Sequence, residues 1–339
     1  MENRVPVQVP YRELTCRFCG SKNLIKYGTY HGSQRVMCKD CGRKSGTNNA
    51  LPYMQTPTDQ VGAALGMYFE GQSLNSIGRI MPQVFNAYPA DSTVYRWLER
   101  FVPSALDEAK ASGKPNVGEE WIADETVLTI NGKKIWCFDI IDSQTRYLLA
   151  YHLASTRTMR AARTLFEKAS ECAGKAPKRI ITDGLNVYED ACELTFGSDS
   201  KHVKSTPFVE TDSTNRIERW HGTLKDRLKT MRGLRDLKTA RLVLDGWLLH
   251  YNYLRPHEAL ERTPAEAAGI RFPHKNWQDI VTKDQAVKTP QLTEVVVYTS
   301  GDSLQRGSTI TGVRIGPKRA RRHFSRRAQT QASLTRMRY

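Results

Sequence analysis

The chain has 339 residues, 51 Lys and Arg against 35 Asp and Glu, a net charge of +16 and a pI near 9.6. Length allows two or three domains, and a 39% hydrophobic, 25% charged composition with 6 Trp, 14 Tyr and 10 Phe argues against disorder throughout. No apolar run reaches the ~18 residues that a membrane helix needs, and the opening MENRVPVQVPYREL lacks the apolar stretch of a signal peptide, so a cytoplasmic protein with a polyanionic partner is expected.

Four of the seven cysteines form two C-x-x-C pairs, Cys16/Cys19 and Cys38/Cys41, separated by eighteen residues and each followed by glycine, Gly20 and Gly42. Four thiolates on two tight turns suit tetrahedral Zn²⁺. A glycine after the second cysteine lets the chain turn sharply, so that amides face the sulfurs. Leu24 to Met37 reads as a hairpin turning at Tyr30–Ser33. Residues 11–50 are therefore expected to form a zinc ribbon; two disulfides or a redox pair are the alternatives, and a reducing cytosol disfavours disulfides. Cys137, Cys172 and Cys192 sit in apolar or helical contexts and read as small buried hydrophobes.

Residues 56–110 turn helical. Val61, Leu65 and Tyr68/Phe69 recur at helix spacing, and Ser73 suits the N-cap of a second helix with Leu74, Ile77 and Ile80. Asp91 or Ser92 is expected to cap a third helix that turns Val94, Trp97, Leu98 and Phe101 inward and Thr93, Tyr95, Arg96 and Arg100 outward. The segment resembles the helix-turn-helix domains of transposases and recombinases, which makes Tyr95, Arg96 and Arg100 candidate DNA contacts. Residues 82–90 predict a turn longer than that motif's.

From residue 118 the pattern is mixed. Strands are expected at 119–127, at 134–141 after an Asn131-Gly132 turn, and at 146–153. A helix at 158–172, a strand Arg179–Thr182 ending on Asp183, a helix at 186–196, a strand at His202-Val203 and a long helix from Asn215 follow. Three strands and then alternating helix and strand define a mixed α/β layer fold. Asp124 and Asp183 are placed at strand ends, and Glu218 at the start of the long helix, with thirty-four residues between it and Asp183. Three converging carboxylates resist ionising unless cations neutralise them. Two Mg²⁺ ions about 4 Å apart would do so and would activate a water or hydroxyl for in-line attack on a phosphodiester. Alternation sends Glu125 to the other face of its strand, and Asp139 and Asp142 bracket a strand end and turn where Asp is common.

This spacing resembles the DDE transposases of bacterial and archaeal insertion sequences, members of the ribonuclease-H-like integrase superfamily. The stretch Thr214-Asn215-Arg216-Ile217-Glu218-Arg219-Trp220-His221-Gly222-Thr223-Leu224-Lys225 carries the likeness most specifically, with Thr182-Asp183-Gly184 and a closing Tyr251-Asn252, Arg255-Pro256-His257, Leu260 and Thr263-Pro264. The resemblance covers about 118–270. It implies a ribonuclease-H-like mixed sheet flanked by helices, with Asp124, Asp183 and Glu218 as catalytic ligands of two Mg²⁺ (or Mn²⁺) ions. It implies that Lys225 contacts DNA near the scissile phosphate, with His221 a weaker candidate for the same edge or a structural residue. Trp220 suits either the core or stacking on a base.

The implied activity is cleavage at transposon ends and strand transfer by a homo-oligomer, a dimer or larger, that binds double-stranded terminal inverted repeats and target DNA in the cytoplasm, at the nucleoid, and no membrane. A catalytically silent DNA-binding relative and a stand-alone nuclease of the same fold are the alternatives. Residues 271–339 form a C-terminal extension in which 295–298 and 309–315 read as strands. Residues 317–339 carry eight Lys and Arg and no Asp or Glu, a flexible basic arm or a solvated tail.

Overall fold

A computed structural model describes residues 14–30, 33–205, 213–231 and 233–283. The tip of the first hairpin, Asp212, the strands expected at 295–315 and the basic arm at 317–339 lie outside these residues.

The first module is a three-stranded antiparallel sheet, β1 (Leu24–Tyr30), β2 (Ser33–Cys38) and β3 (Lys44–Gly46). It has the form of a ribbon. Gly20 and Gly42 take φ of 73° and 71°, the left-handed turn expected after each second cysteine. Arg17 ties the module to the chain that follows, donating to the carbonyls of Gly46 (3.0 Å), Asn48 (2.7 Å) and Met54 (3.3 Å).

Three helices come next: α1 (Thr58–Phe69), α2 (Leu74–Phe85) and α3 (Asp91–Ala111). Ser73 caps α2 as expected, accepting from the Ser76 amide at 3.1 Å. The capping expected of Asp91 or Ser92 does not occur: the N-cap is Ala90, without a side-chain bond, and Asp91 opens the helix where its charge suits the positive helix end. The long turn is shorter than its composition suggests. α2 continues through Pro82 to Phe85, and Asn86 ends it at φ 50°, leaving five residues before α3. Val94, Trp97, Leu98 and Phe101 are buried, as their spacing required.

The central sheet has the order β6-β5-β4-β7-β8. β4 (Glu120–Ile130), β5 (Lys133–Asp142) and β6 (Leu148–Ala154) are antiparallel neighbours. β7 (Arg179–Thr182) and β8 (Lys201–Lys204) add in parallel. Asn131 and Gly132 join β4 to β5 with φ of 50° and 70°, the mirror-image turn that matches strand twist. That two-residue loop pairs Ile130 with Lys133 and hence Asp124 with Asp139.

Helices cover both faces. α4 (Met159–Ala173) and α5 (Asn186–Phe196) lie on one, where Trp121, Phe138, Phe166, Tyr188 and Phe196 form a ring cluster. α6 (Asn215–Lys229) lies against β4 and β5 on the other, burying Ile217, Trp220, His221, Leu224 and Arg227 at helical spacing. This is a three-layer mixed α/β fold of ribonuclease-H-like order.

α7 (Leu237–Leu249) runs into a π-helical turn, His250–Leu254, then α8 (Pro264–Ala267) and α9 (Trp277–Lys283). Asn252 is fully buried and clamps the edge strand β6: it accepts from the Leu148 amide at 2.9 Å and donates to the Leu148 carbonyl at 3.0 Å. α9 packs back on α1 at Gly62, where an added Cβ would stand 2.5 Å from the Gln278 Cα.

Candidate active site

The structure brings Asp124 and Asp183 together. Asp124 is not at a strand end; it is the fifth residue of the eleven in β4. The convergence arises because β7 is short. Ile122 pairs with Ile181 in parallel register, so β7 ends beside Ala123 and Asp183 follows level with Asp124. Gly184 then turns at φ 92°, and the Leu185 amide donates to Asp183 at 3.1 Å.

Glu125 completes the cluster, although alternation faces it toward α5, where Tyr188 donates to it at 2.7 Å and Arg157 pairs with it at 3.3 Å. Its carboxylate still comes within 4.8 Å of those of Asp124 and Asp183. Three clustered carboxylates are a donor set that fits a hard divalent cation. Burial pushes the Asp124 carboxyl up to about 6, and the charges of Glu125 and Asp183 add to this against the pull of His221.

His221 is buried, 5% exposed. Its Nδ1 lies 3.5 Å from Asp124 and its Nε2 3.1 Å from Asp139. Asp139 is fully buried, so it is no turn residue; it is the inner anchor of this imidazole. Burial raises its carboxyl, and His221 opposes that rise. Glu218 stands exposed one helical turn before His221, accepts from the Thr214 hydroxyl at 2.9 Å, and is not a member of the close carboxylate cluster. Lys225 is exposed on the same helix. Trp220 is buried at 2% exposed, on the core side of its two alternatives.

In the ribbon, the four sulfurs of Cys16, Cys19, Cys38 and Cys41 lie within 4.8 Å of one another. Cys16–Cys41 and Cys19–Cys38 are each 3.6 Å apart, too far for disulfides. Tetrahedral zinc–sulfur bonds of about 2.3 Å set sulfur–sulfur edges of about 3.8 Å, so the cluster fits a four-thiolate metal site. Burial pushes the Cys38 thiol up, but the amides of Cys41 and Asp40 and the neighbouring thiols outweigh it and bring it to about 7.

On α3, Arg96 is exposed, and the Arg100 guanidinium lies over the Phe101 ring. Tyr95 is half-buried, with its hydroxyl 3.3 Å from Thr239 on α7.

The family model of the DDE domain matches residues 118–257. The transposase for an insertion sequence element in a Staphylococcus aureus transposon is 27% identical over 203 residues, covering 58% of this chain and 85% of that protein. An insertion-element protein of Xanthomonas euvesicatoria is 24% identical over 157 residues, covering 45% of this chain and 44% of that one. The catalytic core of HTLV-2 integrase, solved in complex with magnesium, aligns at a TM-score of 0.36 and 18% identity over 46% of this chain and 97% of that one. The catalytic core of BIV integrase aligns at 0.35 and 18%, covering 44% and 93%. Residues 118–257, which hold Asp124, Glu125 and Asp183, match a DDE domain. By that match and these relatives, the chain is similar to DDE transposases of insertion sequences.

Proposed function

We propose that the protein binds the ends of a mobile element, cleaves there to free a 3′-OH, and joins that end to target DNA. The observation that carries this reading is the meeting of Asp124 and Asp183 beneath α6, the helix that bears both Glu218 and the His221 that braces Asp124. Asp124, Asp183 and Glu218 would hold two Mg²⁺ (or Mn²⁺) ions, with Glu125 close enough to tune them. When bound, such ions activate the attacking oxygen and stabilise the leaving one. The chain's own residues position them: His221 and Asp139 fix the Asp124 carboxylate, and Lys225 lies one face of α6 along, suited to a DNA phosphate.

The four ribbon cysteines would hold Zn²⁺. Residues 11–50 as a ribbon and 56–110 as a helix-turn-helix-like domain would bind terminal inverted repeats, with Arg96 and Arg100 as contacts. Residues 118–270 would act as the catalytic domain, and 271–339 as an extension with a basic arm. Two ends handled together call for a dimer or larger assembly on DNA, in the cytoplasm at the nucleoid. Among the described residues no helix is long and apolar enough to cross a membrane.

The test is a labelled duplex carrying the element's own end, incubated with Mg²⁺ or with EDTA, beside a Glu218→Gln variant. Metal-dependent nicking and joined products that vanish in the variant are expected. Tight binding of a verified end with no cutting would overturn the enzymatic reading; cutting without joining would make the protein a nuclease.

A further inference from the structure

A second site lies on the other face of α6. Glu218, His221 and Lys225 share one helical face, whereas Arg216, Arg219, Trp220 and Thr223 share another. That second face lines a cleft of about 480 Å³, closed by Arg146 from the β5–β6 turn and by Arg255 and His257 after the π-helical turn. A smaller hollow beside it uses Arg146, Arg216 and Arg219 again, with Ser213 and Asn215.

Four arginines thus face two carboxylates, Asp226 and Glu258, and Asp226 is already paired with Lys229 at 2.8 Å. Such crowding of like charge is unfavourable without an anion. Burial lowers the Arg146 guanidinium, and the charges of Arg216 and Arg219 lower it further. Arg146 is also held at φ 60°, a backbone conformation that a side-chain-bearing residue adopts at a cost. Trp220 is 2% exposed, and its indole N–H finds no acceptor among the described residues. The His257 Nδ1 is buried and without a partner there as well. Strain, repelling cations and spare donors meet in one hollow, so its shape answers a need other than packing.

We propose that this cleft is a phosphodiester-binding site that grips the backbone of duplex DNA, apart from the carboxylate centre. Planar guanidinium forks match phosphate oxygens two at a time. Trp220 and His257 supply neutral donors beside them. Backbone grip carries no sequence information, so the cleft serves flanking or target DNA rather than recognition of a repeat. The inference rests on the DNA-processing reading above and adds a second DNA-holding surface to it.

The test is fluorescence anisotropy of a random-sequence 30-bp duplex with the full-length protein without added Mg²⁺, across a salt series. The variant is Arg146→Gly/Arg219→Ala/Arg255→Ala; glycine at 146 keeps the left-handed turn. The control is Arg163→Ala/Lys178→Ala/Lys201→Ala, three exposed cations elsewhere. Each phosphate contact adds about 0.9 to the slope of log K against log salt. The cleft variant should lose about 2.7 of that slope and at least about tenfold in affinity at 150 mM salt, while the control stays within about twofold. The exposed Arg219→Ala alone, which leaves the buried lining intact, should lose about 0.9.

Equal losses in variant and control would overturn the proposal. So would displacement of the duplex from the wild-type protein by polyglutamate at matched charge, which would assign the cleft to an acidic protein. Cleavage of the element end is read separately: its absence with cleft binding intact would overturn the enzymatic reading and leave this site standing.

Discussion

Asp124 sits between two influences, the low-dielectric interior and the imidazole of His221. Its carboxyl is raised from 3.8 to about 6, so the metal-free folded chain holds its proton more tightly than the unfolded chain does. Stability in EDTA should therefore fall as pH rises from about 4 to about 6 and level off above, by up to about 3 kcal/mol for this group. Urea melts across that window should show the slope, and Asp124→Asn should flatten it. A proton must leave for a cation to bind, so Mg²⁺ activation should weaken below pH 6. One shell further in, Asp139→Asn keeps the shape but removes the anchor of His221. Supporting residues of this kind cost about 10–100-fold when lost. A shift of that size in the Mg²⁺ activation midpoint of DNA cleavage is expected, and an unchanged midpoint would leave Asp139 a purely structural residue.

Two glycines of one helix separate packing from propensity. Gly62 and Gly66 both lie inside α1, where alanine gains about 1 kcal/mol from helix propensity. At Gly66 an added Cβ meets nothing within 4 Å, so Gly66→Ala should stabilise by about that amount. At Gly62 the Cβ would strike the backbone of α9, 2.5 Å from the Gln278 Cα and 2.7 Å from its nitrogen. Overpacking against main chain costs about 1–3 kcal/mol, so Gly62→Ala should lower stability and loosen α9. Thermal melts of the two variants should move in opposite directions. Asn252 works at the same scale: it takes the place of a neighbouring strand at the sheet edge, so β6 needs no further strand at Leu148.

Across the molecule, the ribbon and the DDE domain are held by different forces. In the three ribbon strands only Val36 and Cys38 are buried, and Cys16 joins them from the preceding turn. So small a core does not stabilise a fold unaided. The central sheet is packed on both faces by α4, α5 and α6. Stripping metal with a strong chelator should expose residues 14–50 to proteolysis while the sheet stays protected, and mass spectrometry of the fragments reads the difference. Equal resistance before and after chelation would show that the ribbon does not depend on its metal.

Local pattern determined much of this protein. Two C-x-x-C pairs and their glycines announced the ribbon, the Asn131-Gly132 turn set a hairpin register, and the spacing from Asp183 to Glu218 pointed to the catalytic class. That register places Asp139 opposite Asp124, because a two-residue turn leaves no other pairing, so its role is legible in the sequence despite the nearby turn where Asp is common. Tertiary structure decided the rest. Asp124 meets Asp183 because β7 is too short to run past it, and no local pattern measures where a parallel neighbour stops. His221 turns inward because α6 crosses β4 and β5 there, so one helical face is consumed by the sheet. Glu125 reaches the cluster from a face that alternation alone assigns elsewhere, since a side chain's reach is fixed by its neighbours Tyr188 and Arg157. The arginine cleft joins residues from 146 to 257 through packing alone: sequence carries the charges, but only the fold brings them close enough to repel one another and call for an anion.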